Sequence, residues 1–519
     1  MRLRRFLASA LLAACAATAA EKLNVVFILA DDLGWGELGS YGQKKIPTPH
    51  LDRLAAQGTR FTRHYSGAPV CAPSRCVLMT GKHLGHAEVR GNRQAKVADP
   101  RFTEGQLPLS TGAVTIAQVF RQAGYATGAM GKWGLGPVGS TGDPNAKGFD
   151  LFFGYNCQAV AHSFFPATLW RNAERVPLNR KAVPGHAKQP AGEVRLEDWQ
   201  GENHASLAMM AEAERFIDTH RSRPFFLYLP FTEPHVAMQP PRAWVEKFPR
   251  DWDPVPYRGE SGYLPHPRPR AGYAAMIALL DHHVGQVLAA LDRAGVAERT
   301  LVVFSSDNGP EEIFIQNAGH SGVGSPGPFR GRKRSLYEGG LRVPFLVRWP
   351  GRVPAGRVDD ATVIGGIDFL PTVCALTGVP VPKGLEPDGE DLSRALLGNA
   401  IPRARPLMWE WRFGIAGHVI NRSPQLAIRE GDWKLLLNPD RSRVELYAIR
   451  RDLSETDNVA SQHPEVVERL AQRVLAWQRE LPPGPVDAAA GRNDYPWPGR
   501  AAAPSGDAAP KAGKRKKAG

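Results

Sequence analysis

Leu23-Asn24-Val25-Val26-Phe27-Ile28-Leu29-Ala30 runs without a break into Asp31-Asp32-Leu33-Gly34, and this junction decides the fold. A continuous apolar, β-branched run of this length is the pattern of a strand buried on both faces of a parallel sheet. A second such run, Leu301 to Ser306, ends in Asp307-Asn308-Gly309. Between them strands and helices alternate. Thr48 and Pro49 open a helix whose face carries Leu51, Leu54 and Ala55, and Gly58 stops it. Phe61 to Tyr65 reads as a strand, and Ile116, Val119, Phe120 and Ala123 keep helical spacing up to Gly124. Tyr125 to Met130 returns as a strand and delivers Gly131-Lys132-Trp133-Gly134. A helix marked by Met209, Ala213 and Phe216 precedes a strand from Pro224 to Phe231, which ends in Thr232-Glu233-Pro234-His235. Met276, Leu280, Val284, Val287 and Leu291 mark a long helix. The alternation predicts an α/β fold with a doubly wound, mostly parallel sheet, whose sites lie beyond the carboxyl ends of its strands.

The pattern changes near residue 405. Leu407–Arg412, Gln425–Arg429, Trp433–Asn438 and Val444–Ile449 are short strand candidates, and a helix follows from about Pro464 to Leu481. This is a small C-terminal antiparallel α+β subdomain. The expected division is a targeting segment at 1–20, a catalytic domain at 21–404, the small subdomain at 405–482 and a disordered basic tail at 483–519.

Arg2, Arg4 and Arg5 precede an uncharged apolar run, Phe6 to Ala20, that small residues close. That is an export signal, too short to span a bilayer, so no transmembrane span is expected. Leu12-Ala13-Ala14-Cys15 also resembles a bacterial lipobox, which would put a lipid anchor on Cys15. Ordinary cleavage and lipidation both stay open, and both place the protein outside the cytoplasm, in the periplasm or secreted. Beyond Cys15 the cysteines are Cys71, Cys76, Cys157 and Cys374, without CxxC pairs or Cys/His zinc spacing, so this is no disulfide scaffold. Of the net charge of +14, three charges sit in the leader and four in residues 501–519, leaving +7 between. A moderately basic exported protein suits an anionic substrate. With no nucleic-acid-binding motif present, a nucleic-acid partner is set aside.

Two strands ending in adjacent oxygen ligands, Asp31-Asp32 and Asp307-Asn308, are the first candidate site. Carboxylates brought together repel unless a cation or a proton offsets the charge, and all-oxygen ligation points to Ca²⁺ or Mg²⁺. Either pair alone reads as an Asx-turn; two pairs in the same topological position favour a metal. The second candidate is Cys71-Ala72-Pro73-Ser74-Arg75, a Pro/Gly-punctuated loop entering a helix. Cys71 is expected just ahead of the first turn, with Ser74 or a neighbour as the cap, and Arg75 offers a fixed fork of donors to a tetrahedral oxyanion.

Cys71-Ala72-Pro73-Ser74-Arg75 followed by Thr80-Gly81-Lys82 resembles the signature of the type I, formylglycine-dependent sulfatases, an arylsulfatase-like family of the alkaline-phosphatase-like superfamily. The resemblance covers almost the whole mature chain. It implies that Cys71 is oxidised to formylglycine (3-oxoalanine) by a sulfatase-maturing enzyme. It further implies that Asp31, Asp32, Asp307 and Asn308 hold Ca²⁺, with Mg²⁺ as second choice, and that modified Cys71 completes the metal site. Arg75 matches the arginine that supports the formylglycine. Lys132 and Lys333, the latter in Gly331-Arg332-Lys333-Arg334-Ser335, match the lysines that hold sulfate oxygens. His235 matches the histidine near the leaving oxygen, and Trp433-Lys434-Leu435 and Glu445-Leu446-Tyr447 are similar to the family's C-terminal sheet. One position departs: most sulfatases have histidine where this chain has Gly134, and that histidine is the base for release of sulfate. The expectation here is that His162, in Ala161-His162-Ser163, takes its place. The implied reaction is hydrolysis of a sulfate ester of a carbohydrate or aryl alcohol. The alternatives are a phosphoesterase of the same superfamily and a non-catalytic sulfoglycan-binding protein.

Overall fold

The computed structural model describes residues 22–92, 107–260, 262–311, 324–415, 417–484 and 486–492. The targeting segment with Cys15 and the tail from 493 lie outside the described residues. Eleven strands form the large sheet: β1 Asn24–Ala30, β2 Thr59–Tyr65, β3 Ala126–Lys132, β4 Leu151–Tyr155, β5 Thr168–Arg171, β6 Glu174–Pro177, β7 Phe225–Pro230, β8 Thr300–Ser306, β9 Arg342–Arg348, β10 Arg357–Asp359 and β11 Ile364–Gly365. Their order is β10-β2-β9-β8-β1-β7-β3-β4-β5-β6, with β11 beside β2.

At the centre β8, β1, β7 and β3 run parallel. Every residue of these four strands is buried, which is why the sequence reads as unbroken apolar runs rather than alternation. Asn24 ties their amino ends together: its Nδ2 donates to Thr300 Oγ1 (3.3 Å) and its Oδ1 accepts from the Phe225 amide (3.1 Å). The register pairs Ala30 with Ser306, so the residues that follow β1 and β8 emerge side by side. The Asp307 amide donates to the Ala30 carbonyl (3.1 Å), and the Asp31 amide to the Glu233 carbonyl (3.0 Å). The sheet therefore delivers three candidate segments to one edge.

A fourth segment arrives through a reversal. β9 is antiparallel to both β8 and β2. Because β9 begins where its neighbours end, the loop before it, which contains Lys333, lies at the same carboxyl edge.

Four differences from the sequence reading have local causes. Cys71 is the first residue of the helix Cys71–Thr80 rather than the residue before it; Val70 is the extended cap and makes no side-chain capping bond. Ser74 lies inside that helix, its amide donating to the Val70 carbonyl (3.1 Å). The β5–β6 hairpin and the helix Phe369–Thr377 had no clear periodic signal. Residues 486–492, expected to begin the disordered tail, fold back on the small subdomain: Ala490 is buried, and Asn438 Nδ2 donates to the Gly491 carbonyl (3.2 Å). The helix Pro269–Arg293 is long and apolar enough to cross a membrane, yet most of it is buried inside the fold.

The small sheet is antiparallel in the order β12 Leu407–Glu410, β13 Leu426–Glu430, β14 Trp433–Leu437 and β15 Glu445–Ala448, and the helix Pro464–Glu480 packs on it. A buried ionic cluster fastens it to the large sheet. Glu338, just before β9, accepts from Tyr65 Oη (2.7 Å) and from Lys434 Nζ (2.9 Å). Lys434 also pairs with Glu455 (3.0 Å), and Arg429 Nε donates to Tyr65 Oη (3.1 Å). Removing one partner of such a cluster strands the others without solvent. Lys434→Met should therefore cost about 3–5 kcal/mol in urea unfolding, and adding Glu338→Gln should recover part of that loss.

Candidate active site

Asp31 and Asp32 leave β1 in a sharp turn. Asp32 has φ +63°, a left-handed conformation that non-glycine residues adopt at a cost, and its amide donates to Asp307 Oδ1 (3.1 Å). Three carboxylates are thereby packed together out of contact with water. Their mutual repulsion is visible in Asp307, whose pKa burial and the neighbouring Asp31 push up to about 7 against the pull of Arg75. Burial also raises Asp31, but Lys132, His235, Arg75 and Lys333 outweigh it and hold that carboxyl well below the usual range.

The cations come from three separate elements. Arg75, one turn into the Cys71–Thr80 helix, donates from Nε and Nη2 to Asp307 Oδ2 (3.0 and 2.9 Å) and lies 3.3 Å from Asp31 Oδ2. Its Nη1 donates to the Lys132 carbonyl. Lys132, the last residue of β3, places Nζ 2.6 Å from Asp31 Oδ2. Lys333 places Nζ 2.7 Å from Asp32 Oδ2 and 3.4 Å from Glu311 Oε2. Cys71 points into this cluster, with Sγ 3.3 Å from Asp31 Oδ1 and 3.7 Å from Asp32 Oδ1. Burial and then Asp31 push its thiol well up, so it stays protonated and is a poor nucleophile as it stands.

Asn308 donates from Nδ2 to Asp32 Oδ1 (2.7 Å) and to the Gly309 carbonyl (2.8 Å), while its buried Oδ1 has no hydrogen-bond partner. An orphaned oxygen beside three carboxylates is what a hard cation would satisfy. Asp31, Asp32, Cys71 and His235 offer ligand atoms within 4.8 Å of one another, a grouping able to hold a metal ion.

His235 follows β7. Its Nδ1 donates to the Val236 carbonyl, which leaves Nε2 facing the site, 3.5 Å from Asp32 Oδ2. Burial and then Lys333 hold its pKa well below the ordinary imidazole value. His162 lies beside it, the two rings stacked with centroids 4.8 Å apart and planes at 18°. Gln158 fills the space beside position 134: Gly134 has φ +77°, and a Cβ there would lie 1.9 Å from Gln158 Nε2. A histidine at that point would strain the backbone and displace the Gln158 side chain.

Every site residue expected from the sequence thus gathers at one edge of the sheet. Sequence reading missed Glu311 and Arg334, which pair with each other (2.5 and 3.1 Å) beside Lys333, and also His186 and Tyr263 around His162 and Gln158 beside Gly134. Glu311 stands four residues past Asp307 and Arg334 directly follows Lys333, so proximity in the chain was an available signal for these two. Asp31, Asp32, Asp307 and Glu311 are matched by Arg75, Lys132, Lys333 and Arg334. A divalent cation added to this neutral set leaves a surplus of positive charge for an anion.

Comparison with known proteins agrees. The family model described as Sulfatase matches residues 23–379, and that described as N-sulphoglucosamine sulphohydrolase, C-terminal, matches residues 329–480. N-acetylgalactosamine-6-O-sulfatase of Bacteroides thetaiotaomicron is 31% identical over 87% of this chain and 92% of its own. Arylsulfatase A of Homo sapiens is 36% identical over 75% of this chain and 71% of its own. The crystal structure of Ps i-CgsB superposes with a TM-score of 0.71 at 27% identity, covering 89% of this chain and 94% of that one. With both segments of the chain matched and the charged edge in place, the protein belongs to the sulfatase family, sulfuric ester hydrolases on an alkaline-phosphatase-like fold.

Proposed function

We propose that the chain hydrolyses the sulfate ester of a carbohydrate, using formylglycine made from Cys71 and Ca²⁺ held by Asp31, Asp32, Asp307 and Asn308. The observation that carries this reading is the convergence of Arg75, Lys132 and Lys333, from three elements, on the carboxylates around Cys71. Cys71 Sγ marks the position of the group that would bear the reacting oxygens. Formylglycine there would supply a hydrated aldehyde, one hydroxyl to attack sulfur and a second to expel sulfate. Ca²⁺ would supply charge to polarise the sulfuryl oxygens and favour an ionised nucleophile.

The chain's own residues account for the rest. Lys132, held on Asp31, and Lys333, held on Asp32, neutralise charge on the transferring group, and Arg75 fixes Asp307 and Asp31 while adding its own field. This is preorganised electrostatic stabilisation in a site closed to water. His235 presents Nε2 to the departing alcohol; because Nδ1 already donates to the Val236 carbonyl, the ring serves as the acid in its doubly protonated form. His162 takes the proton released when sulfate leaves, the role vacated at Gly134. Oxygen ligands beside a cysteine favour sulfate-ester hydrolysis over the phosphoesterase reading, which calls for a hydroxyl nucleophile and zinc-type histidine ligands.

The carbohydrate assignment draws on the relatives. One is named for N-acetylgalactosamine-6-O-sulfate chemistry, and a structural neighbour was crystallised with the oligosaccharide k-i-k-neocarrahexaose. The arylsulfatase relatives make aryl sulfates the second class to assay. Export through the leader, with Cys15 either lipidated or cleaved away, and conversion of Cys71 by a sulfatase-maturing enzyme complete the proposal.

Mass spectrometry of the tryptic peptide His64–Arg75 from active protein tests it directly: the thiol should be replaced by an aldehyde that a hydrazide traps, and an unmodified Cys71 in active protein overturns the mechanism. Chelation should lower the melting temperature, and Ca²⁺ at a hundred times its Kd should restore about 2.7 kcal/mol; Asp307→Asn should abolish that calcium-dependent shift. Lys132→Ala and Lys333→Ala should each lower kcat by about 10²–10³, measured on 4-nitrophenyl sulfate or a sulfated sugar.

A further inference from the structure

The residue expected to replace the missing base, His162, is itself held by a hydrogen-bond chain with a fixed polarity. His186 Nδ1 bonds the Gly262 carbonyl. A carbonyl only accepts, so that nitrogen carries the proton, and neutral His186 has its lone pair on Nε2. His186 Nε2 lies 2.8 Å from His162 Nδ1, a bond that forms only when His162 Nδ1 is the donor. In its neutral form the ring then has a single N–H, at Nδ1. The remaining lone pair of His162 is then on Nε2.

The surrounding backbone is shaped to hold this chain. A Cβ at Gly185 would lie 2.6 Å from His162 Cβ, so the segment carrying His186 passes directly against His162. Gly259, at φ +85°, approaches the Ala187 carbonyl so closely that a Cβ would lie 2.1 Å from it. The Gln189 amide donates to the Arg258 carbonyl (3.0 Å), tying the two segments together. Tyr263 stacks on His186 (4.8 Å, 28°) and meets His162 edge-on (5.7 Å, 63°). His162 is thus clamped between the His235 ring on one side and the His186–Tyr263 pair on the other.

We infer that His186 is the positioning residue of the base in the sulfate-release step: with the Gly262 carbonyl it fixes His162 as the Nδ1–H tautomer, leaving Nε2 as the proton acceptor. This rests on the proposed reaction. In the step concerned, His162 Nε2 takes the hydroxyl proton at residue 71. The bond from carbon to the sulfate oxygen breaks with its electron pair going to sulfate, and the former O–H pair becomes the carbonyl π bond. His162 then returns the proton to solvent, to which His186 is exposed. Two imidazoles stacked on one another divide the reaction: His235 as imidazolium serves the first step, and His162 as the neutral ring takes a proton in the second.

The test compares His186→Phe, which keeps a ring but no acceptor, with His186→Gln, whose Oε1 can accept from His162 Nδ1. Imidazole ¹⁵N shifts, recorded on protein with unconverted Cys71, read the tautomer without any turnover. Wild type and His186→Gln should hold His162 as Nδ1–H, and His186→Phe should show a mixture. With 4-nitrophenyl sulfate and converted enzyme, His186→Phe should release the phenol of the first turnover within about twofold of wild type. Its steady-state kcat should fall about tenfold or more, and His186→Gln should restore most of it. An Nε2–H tautomer of His162 in the unconverted wild-type protein overturns the inference, as does an undiminished steady state in His186→Phe or a first turnover slowed as much as later ones. A wild type with the Nδ1–H tautomer that hydrolyses no sulfate ester overturns instead the reading of the reaction, and with it the base role.

Discussion

Three buried carboxylates at the ends of adjacent parallel strands are the constraint on which the rest of the structure depends. Asp31, Asp32 and Asp307 are placed together by strand register, and nothing in the two strands that carry them offsets their repulsion. The compensation has to come from elsewhere in the chain. Arg75 enters on a helix, Lys132 on a third strand and Lys333 on a loop from the opposite direction. The site is thus an electrostatic closure of the fold as well as a place for chemistry. The same cations that make the carboxylates tolerable are aimed at the point where an anion would react.

The antiparallel strand β9 has a double role in this closure. Its reversed direction brings Lys333 to the carboxyl edge, and the turn at its start carries Glu338, the anchor of the small sheet. Lys434 of the small sheet therefore grips the same short stretch, 333–341, that supplies a site lysine, and Arg429 reaches it through Tyr65, which donates to Glu338. The C-terminal subdomain is joined to the rest of the fold by these buried ionic contacts and by an apolar core that it shares with the large sheet. The ionic contacts hold the Lys333 loop where β9 leaves it.

Much of this was legible in the sequence because the physics is local. Buried parallel strands demand unbroken apolar runs, so Leu23–Ala30 and Leu301–Ser306 announced themselves and carried Asp31-Asp32 and Asp307-Asn308 with them. The Cys71–Arg75 stretch, Lys132, His235 and Lys333 were found through motif resemblance, and the structure gathers them within one edge. What was not legible depends on direction and on distant loops meeting. Nothing in residues 342–348 says that the strand runs antiparallel. His162, His186 and Gly262 lie in three irregular segments with no periodicity, and their shared hydrogen-bond chain follows from packing alone. Cys71 was placed one residue outside its helix because Val70 caps with backbone only, leaving no side-chain signal to mark the boundary.

The helix Cys71–Thr80 is buried along its whole length, and Cys71 has no exposed surface at all. Its ends are pinned, by Val70 entering from an extended segment and by Gly81 in a left-handed turn. A modifying enzyme must bring its own catalytic groups within bonding distance of the sulfur and accommodate the flanking peptide in its own cleft. Neither is compatible with a fully buried residue. Enzymatic conversion of Cys71 would therefore have to precede folding, and a molecule that collapsed with the thiol intact would keep it.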